Sequence, residues 1–125
     1  MGKPTIHVEG LNKLTRDLKT LEGDVVGSMK KLNAELAEDV AQTARRKVPR
    51  RSGALAGSIR SSGQARTGVV RAGSSGVPYA NVIHFGWAKH NIRPQPFLYD
   101  ALDSRADDIA RRWADELDRI VRKVD

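Results

Sequence analysis

The stretch Met29-Lys30-Lys31-Leu32-Asn33-Ala34-Glu35-Leu36-Ala37-Glu38-Asp39-Val40-Ala41-Gln42-Thr43-Ala44 decides how this chain is read. Its residues Met29, Leu32, Leu36, Val40 and Ala44 recur every three or four positions, which places them on one face of an α-helix. The stripe extends backwards through Val25, Leu21, Leu18, Leu14 and Leu11, so a long N-terminal helix is expected. Gly23 and Gly27 interrupt it. Each costs about 1 kcal/mol relative to alanine in a helix interior, and a kink or break is expected there. Forwards, Val48-Pro49 ends the helix, because a residue before proline is disfavoured in the helical region. Arg45, Arg46 and Lys47 then occupy the last turn, where cations complement the helix dipole.

On either side of this helix the period changes. Thr5-Ile6-His7-Val8 alternates polar and apolar, which suits a short edge strand with Ile6 and Val8 inward. After Pro49, Ser52-Gly53-Ala54-Leu55 can start a single helical turn. Ser58–Ser62 and Thr67–Ala72 read as two short strands around Gly63-Gln64-Ala65-Arg66. Gly73-Ser74-Ser75-Gly76 reads as a flexible, projecting loop. The pattern of Tyr79–Phe85 fits strand or helix. Pro94 and Pro96 lead into a last helix whose stripe is Leu98, Leu102, Ile109, Trp113, Leu117, Ile120 and Val124. The fold class is therefore α+β, with a long N-terminal helix, a small mainly antiparallel sheet in the middle and a C-terminal helix packed on it. The 125 residues show no repeat, and residues 1–125 are expected to form one domain.

Charge is unevenly spread along this frame. The chain carries 22 Lys+Arg against 15 Asp+Glu, a formal +7. From Val40 to Tyr99 there are ten basic residues and no Asp or Glu, so this middle segment holds the whole positive excess. Such a separation implies an anionic partner or channel. Arg45, Arg46, Lys47, Arg50 and Arg51 form its densest cluster, and Arg60, Arg66 and Arg71 can extend it across a sheet. They suit DNA phosphates, with affinity falling as salt rises, or an acidic surface on a neighbouring subunit. No zinc finger, RNP-like strand or helix-turn-helix accompanies them.

Composition excludes much chemistry. The absence of cysteine removes disulfides, thiolate metal sites and a cysteine nucleophile. Met1-Gly2-Lys3-Pro4 runs into mixed polar sequence, which argues against a secretory signal, and no apolar run approaches the ~20 residues of a membrane span. Glu35, Glu38, Asp39, Asp103, Asp107 and Asp108 lie off the apolar stripes and read as solvated helix faces rather than a paired-carboxylate site. His84 and His90, without a third ligand, read as structural or interface residues rather than a metal site. No P-loop is present. The expectation is a non-enzyme with no cofactor and no metal.

Five of the six aromatic residues, Tyr79, Phe85, Trp87, Phe97 and Tyr99, fall within twenty-one positions, and the first seventy-eight residues have none. Such density in a basic, loop-rich stretch marks a core corner or a contact surface.

Three ordered blocks carry a family resemblance. Ala44-Arg45-Arg46-Lys47-Val48-Pro49-Arg50-Arg51-Ser52-Gly53-Ala54-Leu55, continuing to Ser58-Ile59, is the first. Pro78-Tyr79-Ala80-Asn81-Val82-Ile83-His84-Phe85-Gly86 is the second, and Arg93-Pro94-Gln95-Pro96-Phe97-Leu98 with Ala101 the third. As an ordered set they resemble the gene-product-ten-like tail-completion, or head–tail joining, proteins of long-tailed bacteriophages. The chain departs from the pattern at His84-Phe85-Gly86-Trp87, where relatives often carry an acidic residue and a threonine, and its Val-Pro block is unusually rich in arginine.

The resemblance implies a structural virion protein of the phage neck, assembled in the host cytoplasm. It would complete the head-proximal end of the tail and join tail to head. Heterologous contacts that close give a ring, so the implied assembly is a homo-oligomer around the DNA channel, six copies preferred over twelve. Implied partners are other neck and tail proteins and the genomic DNA, with no membrane. Tyr79, Phe85, Trp87 and Phe97 are the candidate assembly anchors, since aromatics are enriched at interface cores. Arg45, Arg46, Lys47, Arg50 and Arg51 are the candidate contacts to DNA or an acidic partner. A tail terminator, another minor tail subunit, or a free DNA-binding protein are the alternatives.

Overall fold

A computed structural model of the chain describes residues 6–10, 23–48 and 53–124. In chain order the elements are β1 (Ile6–Gly10), α1 (Gly23–Lys47), α2 (Ala54–Ser58), β2 (Arg60–Gly63), β3 (Gly68–Ala72), α3 (Ala80–Phe85), a 3-10 turn (Ala88–His90) and α4 (Phe97–Val124). The three strands form one antiparallel sheet in the order β1-β3-β2. Helix α1 packs on β2 and β3 and also against α4. The α+β expectation is borne out, and β1 is an edge strand as read.

The stripe of α1 becomes the core. Met29, Leu36, Ala37, Val40, Ala41 and Ala44 are buried and meet Val70, Ala72, Leu98, Ile109 and Trp113. The helix starts at Gly23 and runs without interruption through Gly27, where a Cβ would meet nothing within 4 Å. Gly27 sits away from the packed face, so packing of the flanking turns outweighs its propensity penalty. The stripe residues Leu11, Leu14, Leu18 and Leu21 lie outside the described residues.

The sheet approaches α1 closely because small residues line its inner face. A Cβ on Gly63 would collide with the Ala34 backbone, and one on Gly68 would stand 2.8 Å from Asn33 O. The Asn33 side-chain amide donates to the carbonyls of Gln64 (2.7 Å) and Ala65 (3.2 Å), fastening the hairpin loop to the helix. Two expected strand boundaries shift: β2 begins at Arg60 and β3 at Gly68, since Ile59 is buried as the exit from α2 and Thr67 closes the turn by accepting from Gln64 N–H (2.8 Å).

Residues 73–76 differ from the expected projecting loop. Gly73 adopts φ +93°, a conformation that favours glycine, and its N–H donates to Ser58 Oγ (2.9 Å). Val77 N–H donates to Ser74 O (3.0 Å), and Val77 is buried. The segment is a pinned turn. Tyr79–Phe85 resolves as helix α3 over Ala80–Phe85, which ends at Gly86 with φ +74°.

Helix α4 has 28 residues and spans about 42 Å. Pro96 precedes its first residue, and Pro96 O accepts from Asp100 N–H (2.8 Å). Of the acidic residues read as solvated, Glu35, Asp103 and Asp107 are exposed, while Glu38, Asp39 and Asp108 are half-buried. Arg112 on α4 donates to Asp39 (2.8 Å) and Glu35 (3.2 Å) on α1, and Arg105 Nε donates to Thr43 Oγ1 (3.0 Å). Helix packing brings residues some seventy positions apart into one charged seam. Half-exposed pairs of this kind contribute about 0–1 kcal/mol each, so the seam orients the helices more than it stabilises them. No helix among the described residues is long and apolar enough to cross a membrane.

Candidate assembly interface

Two surfaces gather the residues that the sequence singled out. The first is a basic edge where the end of α1 meets the start of β2. Arg45 Nε and Nη2 donate to Ile59 O (3.2 and 2.8 Å), while Nη1 pairs with Glu38 Oε1 at 2.7 Å. Glu38 Oε2 accepts from Ser61 Oγ (2.6 Å). Hydrogen bonds from Ser61 and then Arg45 hold the Glu38 carboxyl below its ordinary pKa range. Arg45 is thus a strut inside the fold, with three of its five N–H groups committed to one carbonyl and one carboxylate. Arg46 and Lys47 are exposed beside it. Arg50 and Arg51 lie outside the described residues.

Because Arg45 grips Ile59, the exposed Arg60 is the next residue along. Arg71, also exposed, stands opposite Arg60 on β3. Arg60 and Arg71 thus share one cross-strand position, while Arg46 and Lys47 are exposed at the end of α1, the helix that packs on the sheet. Arg66, in the hairpin loop, sits at the far end of β2, about 13 Å away at 3.3 Å per residue, and does not join them.

The second surface is an aromatic corner built by α3, the loop after it and the first turn of α4. Phe85, Trp87 and Tyr99 are 53%, 47% and 44% exposed. Beneath them His84 is fully buried and packs edge-on against Phe85, Tyr99 and Phe97, with ring centroids 4.4, 4.6 and 5.0 Å away. Neither ring nitrogen of His84 has a hydrogen-bond partner among the described residues, and burial pushes its imidazole below the ordinary pKa while Asp100 partly opposes the shift. His84 is a neutral spacer between core and surface. His90 packs edge-on against Trp87 with ring centroids 4.1 Å apart, and the Trp87–Ile92 backbone pair closes the loop that carries both. Lys89 and Arg93 are exposed at its rim.

Phe97 does not belong to this exposed set. It is 2% exposed and lies in the core cluster, since the first turn of α4 directs it inward under His84. Tyr79 is exposed but sits at the opposite end of α3 from Phe85. Tyr99 and Ile92 complete the corner in place of Phe97. Tyr99 was legible in one respect: it falls between the core-facing pairs Phe97-Leu98 and Ala101-Leu102 and so faces away from the core.

A cleft of about 270 Å³ lies between α1, β3 and α4. Leu36, Val40, Val70, Leu102 and Ile109 line it, with Asn33 and Asp103 as its polar members, and the Asn33 amide is already spent on the hairpin loop. No group of three or more His, Cys, Asp or Glu able to hold a metal occurs among the described residues.

Residues 12–86, more than half of the chain, match the model of the HK97-gp10-like family, described as "Bacteriophage HK97-gp10, putative tail-component". The matched span contains the Val-Pro and Pro-Tyr-Ala blocks and the whole basic edge, and it ends between Phe85 and Trp87. No curated protein and no solved structure matches the chain.

Proposed function

Since the chain belongs to the HK97-gp10-like family of phage tail components, we propose that it is a structural subunit of the phage neck that completes the head-proximal end of the tail and joins it to the head. Its copies form a closed ring around the DNA channel, six in preference to twelve, assembled in the host cytoplasm and retained in the virion. The observation that carries this reading is the aromatic corner. Phe85, Trp87 and Tyr99 remain about half exposed in the isolated chain although the core beneath them is complete. Burying what remains of each ring against a neighbour contributes on the order of 1 kcal/mol, and half-exposed rings framed by Lys89 and Arg93 have the composition of an interface anchor. The basic edge, on other elements, gives the subunit a second face with a different, anionic neighbour.

Imaging of purified virions by electron cryomicroscopy tests this. A density matching α1, α4 and the sheet is expected between portal and tail tube, and deletion of the gene is expected to leave filled heads and free tails. Detection of the protein in infected-cell lysate but never in particles overturns the reading. Density at the top of the tail tube without contact to the head favours the tail-terminator alternative.

A further inference from the structure

The outer face of the sheet carries a charge arrangement that folding does not explain. In register, Arg60 on β2 stands directly opposite Arg71 on β3. Like charges in that position disfavour strand pairing. Both residues are exposed, and neither forms an ion pair with the described side chains of 26–48 and 53–120. The sheet's acidic position, Glu9, stands on the far edge strand opposite Val69, two positions along β3 from Arg71.

Arg60 is also held in place. Its Nη1 donates to Ser58 O and to Gly73 O, both at 2.9 Å, and Gly73 is itself fixed by its N–H on Ser58 Oγ at 2.9 Å. A guanidinium has five N–H donors. Those of Nη1 point inward, which leaves Nε and Nη2, the edge able to grip two oxygens of one phosphate side by side. The surroundings are small and polar: Ser62, two positions on and so on the same face of β2, is exposed. The exposed rings typical of a protein-binding hot spot lie elsewhere, in the aromatic corner.

We propose that this face, centred on Arg60 and Arg71, binds the phosphate backbone of duplex DNA without reading its sequence. Phosphate contacts come from Arg, Lys and Ser side chains and need no apolar anchor, whereas an acidic protein partner would. That the duplex is the genome in the neck channel rests on the function proposed above; the phosphate binding does not.

Fluorescence anisotropy of the full chain with two labelled duplexes of unrelated sequence, between about 50 and 200 mM salt, tests the proposal. Both duplexes are expected to bind equally. The slope of log K against log salt is expected to shrink by roughly 2 for Arg60→Gln with Arg71→Gln, because each lost phosphate contact removes about 0.9. Arg71→Gln alone, at a residue whose side chain has no hydrogen bond or ion pair among the described residues, is expected to remove about 1, which keeps the test valid if loss of Arg60 loosens the turn. Lys89→Gln with Arg93→Gln removes the same charge from the aromatic corner and is expected to leave the slope unchanged. The proposal is overturned if the wild-type chain does not bind at the lower salt, or if both double variants shrink the slope equally. It is also overturned if polyglutamate displaces the duplex at equal charge concentration, which points to an acidic protein. A chain found in the neck of virions that fails these measurements overturns the DNA contact and leaves the neck assignment standing.

Discussion

The guanidinium of Arg45 closes on the carbonyl of Ile59, with Nη2 at 2.8 Å and Nε at 3.2 Å, and so locks the last turns of α1 to the start of β2. One residue thereby sets the distance between the end of the long helix and the strand that carries Arg60.

Arg45→Met is expected to destabilise the chain by about 1–3 kcal/mol, because the Ile59 carbonyl and the Glu38 carboxylate both lose their charged donor. Urea denaturation followed by circular dichroism checks this. A change within about 0.5 kcal/mol would show that water replaces the guanidinium at no cost.

Glycines at the α1–sheet contact are expected to be intolerant of a methyl group. Gly63→Ala drives a Cβ into the Ala34 backbone and Gly68→Ala into Asn33 O, and backbone cannot rotate aside. A loss of about 1–3 kcal/mol or more is expected for each. Gly57→Ala in α2 is the control: nothing lies within 4 Å of its Cβ, and a gain of about 0.4–1 kcal/mol is expected. Thermal unfolding of the three variants decides the point, and equal melting temperatures would refute the close approach.

Acidification is expected to weaken the fold in two steps. His84 has its imidazole pKa lowered by burial, so the unfolded chain binds a proton more readily than the folded one. Stability is full above the ordinary imidazole value near 6.5, begins to fall as pH drops through it, and continues to fall toward the lowered folded value. Glu38, lowered from about 4.5 by Ser61 and Arg45, adds a second loss as pH falls below that value. Melting temperature measured from pH 8 to pH 4 should show the upper step in the wild type and not in His84→Phe. An upper step of the same size in that variant would assign it to another group.

Side chains of the aromatic corner are expected to separate assembly from folding. Phe85→Ala and Trp87→Ala remove half-exposed rings and should change unfolding free energy by no more than about 1 kcal/mol, while phage titre in a complementation assay falls at least tenfold. Phe97→Ala should do the reverse in vitro and destabilise the isolated chain by about 3–5 kcal/mol, since that ring is core. Normal titres with Trp87→Ala would remove the corner from the interface.

Amino-acid order alone determined both long helices, the hairpin between them and the family. The apolar stripes of 29–44 and 98–120 are periodic over many turns, and local periodicity survives any tertiary arrangement that has one core. Propensity was a poorer guide at single residues: Gly27 did not break α1, and the Gly-Ser run at 73–76 was not loose, because a hydrogen bond from Gly73 to Ser58 Oγ has no local signature.

Tertiary structure decided which polar and aromatic residues are available to a partner. Arg45 and Arg46 are neighbours in a basic run, yet one is spent on Ile59 and Glu38 and the other is exposed. Phe97 and Tyr99 lie in the same proline-led block, yet one is core and the other surface. Helix phase separates the second pair. Contacts with Ile59 and Glu38, fourteen and seven residues away, separate the first. Charge and ring content were written in the chain, but whether a guanidinium faces a carbonyl or the solvent depends on which distant backbone the fold delivers to it.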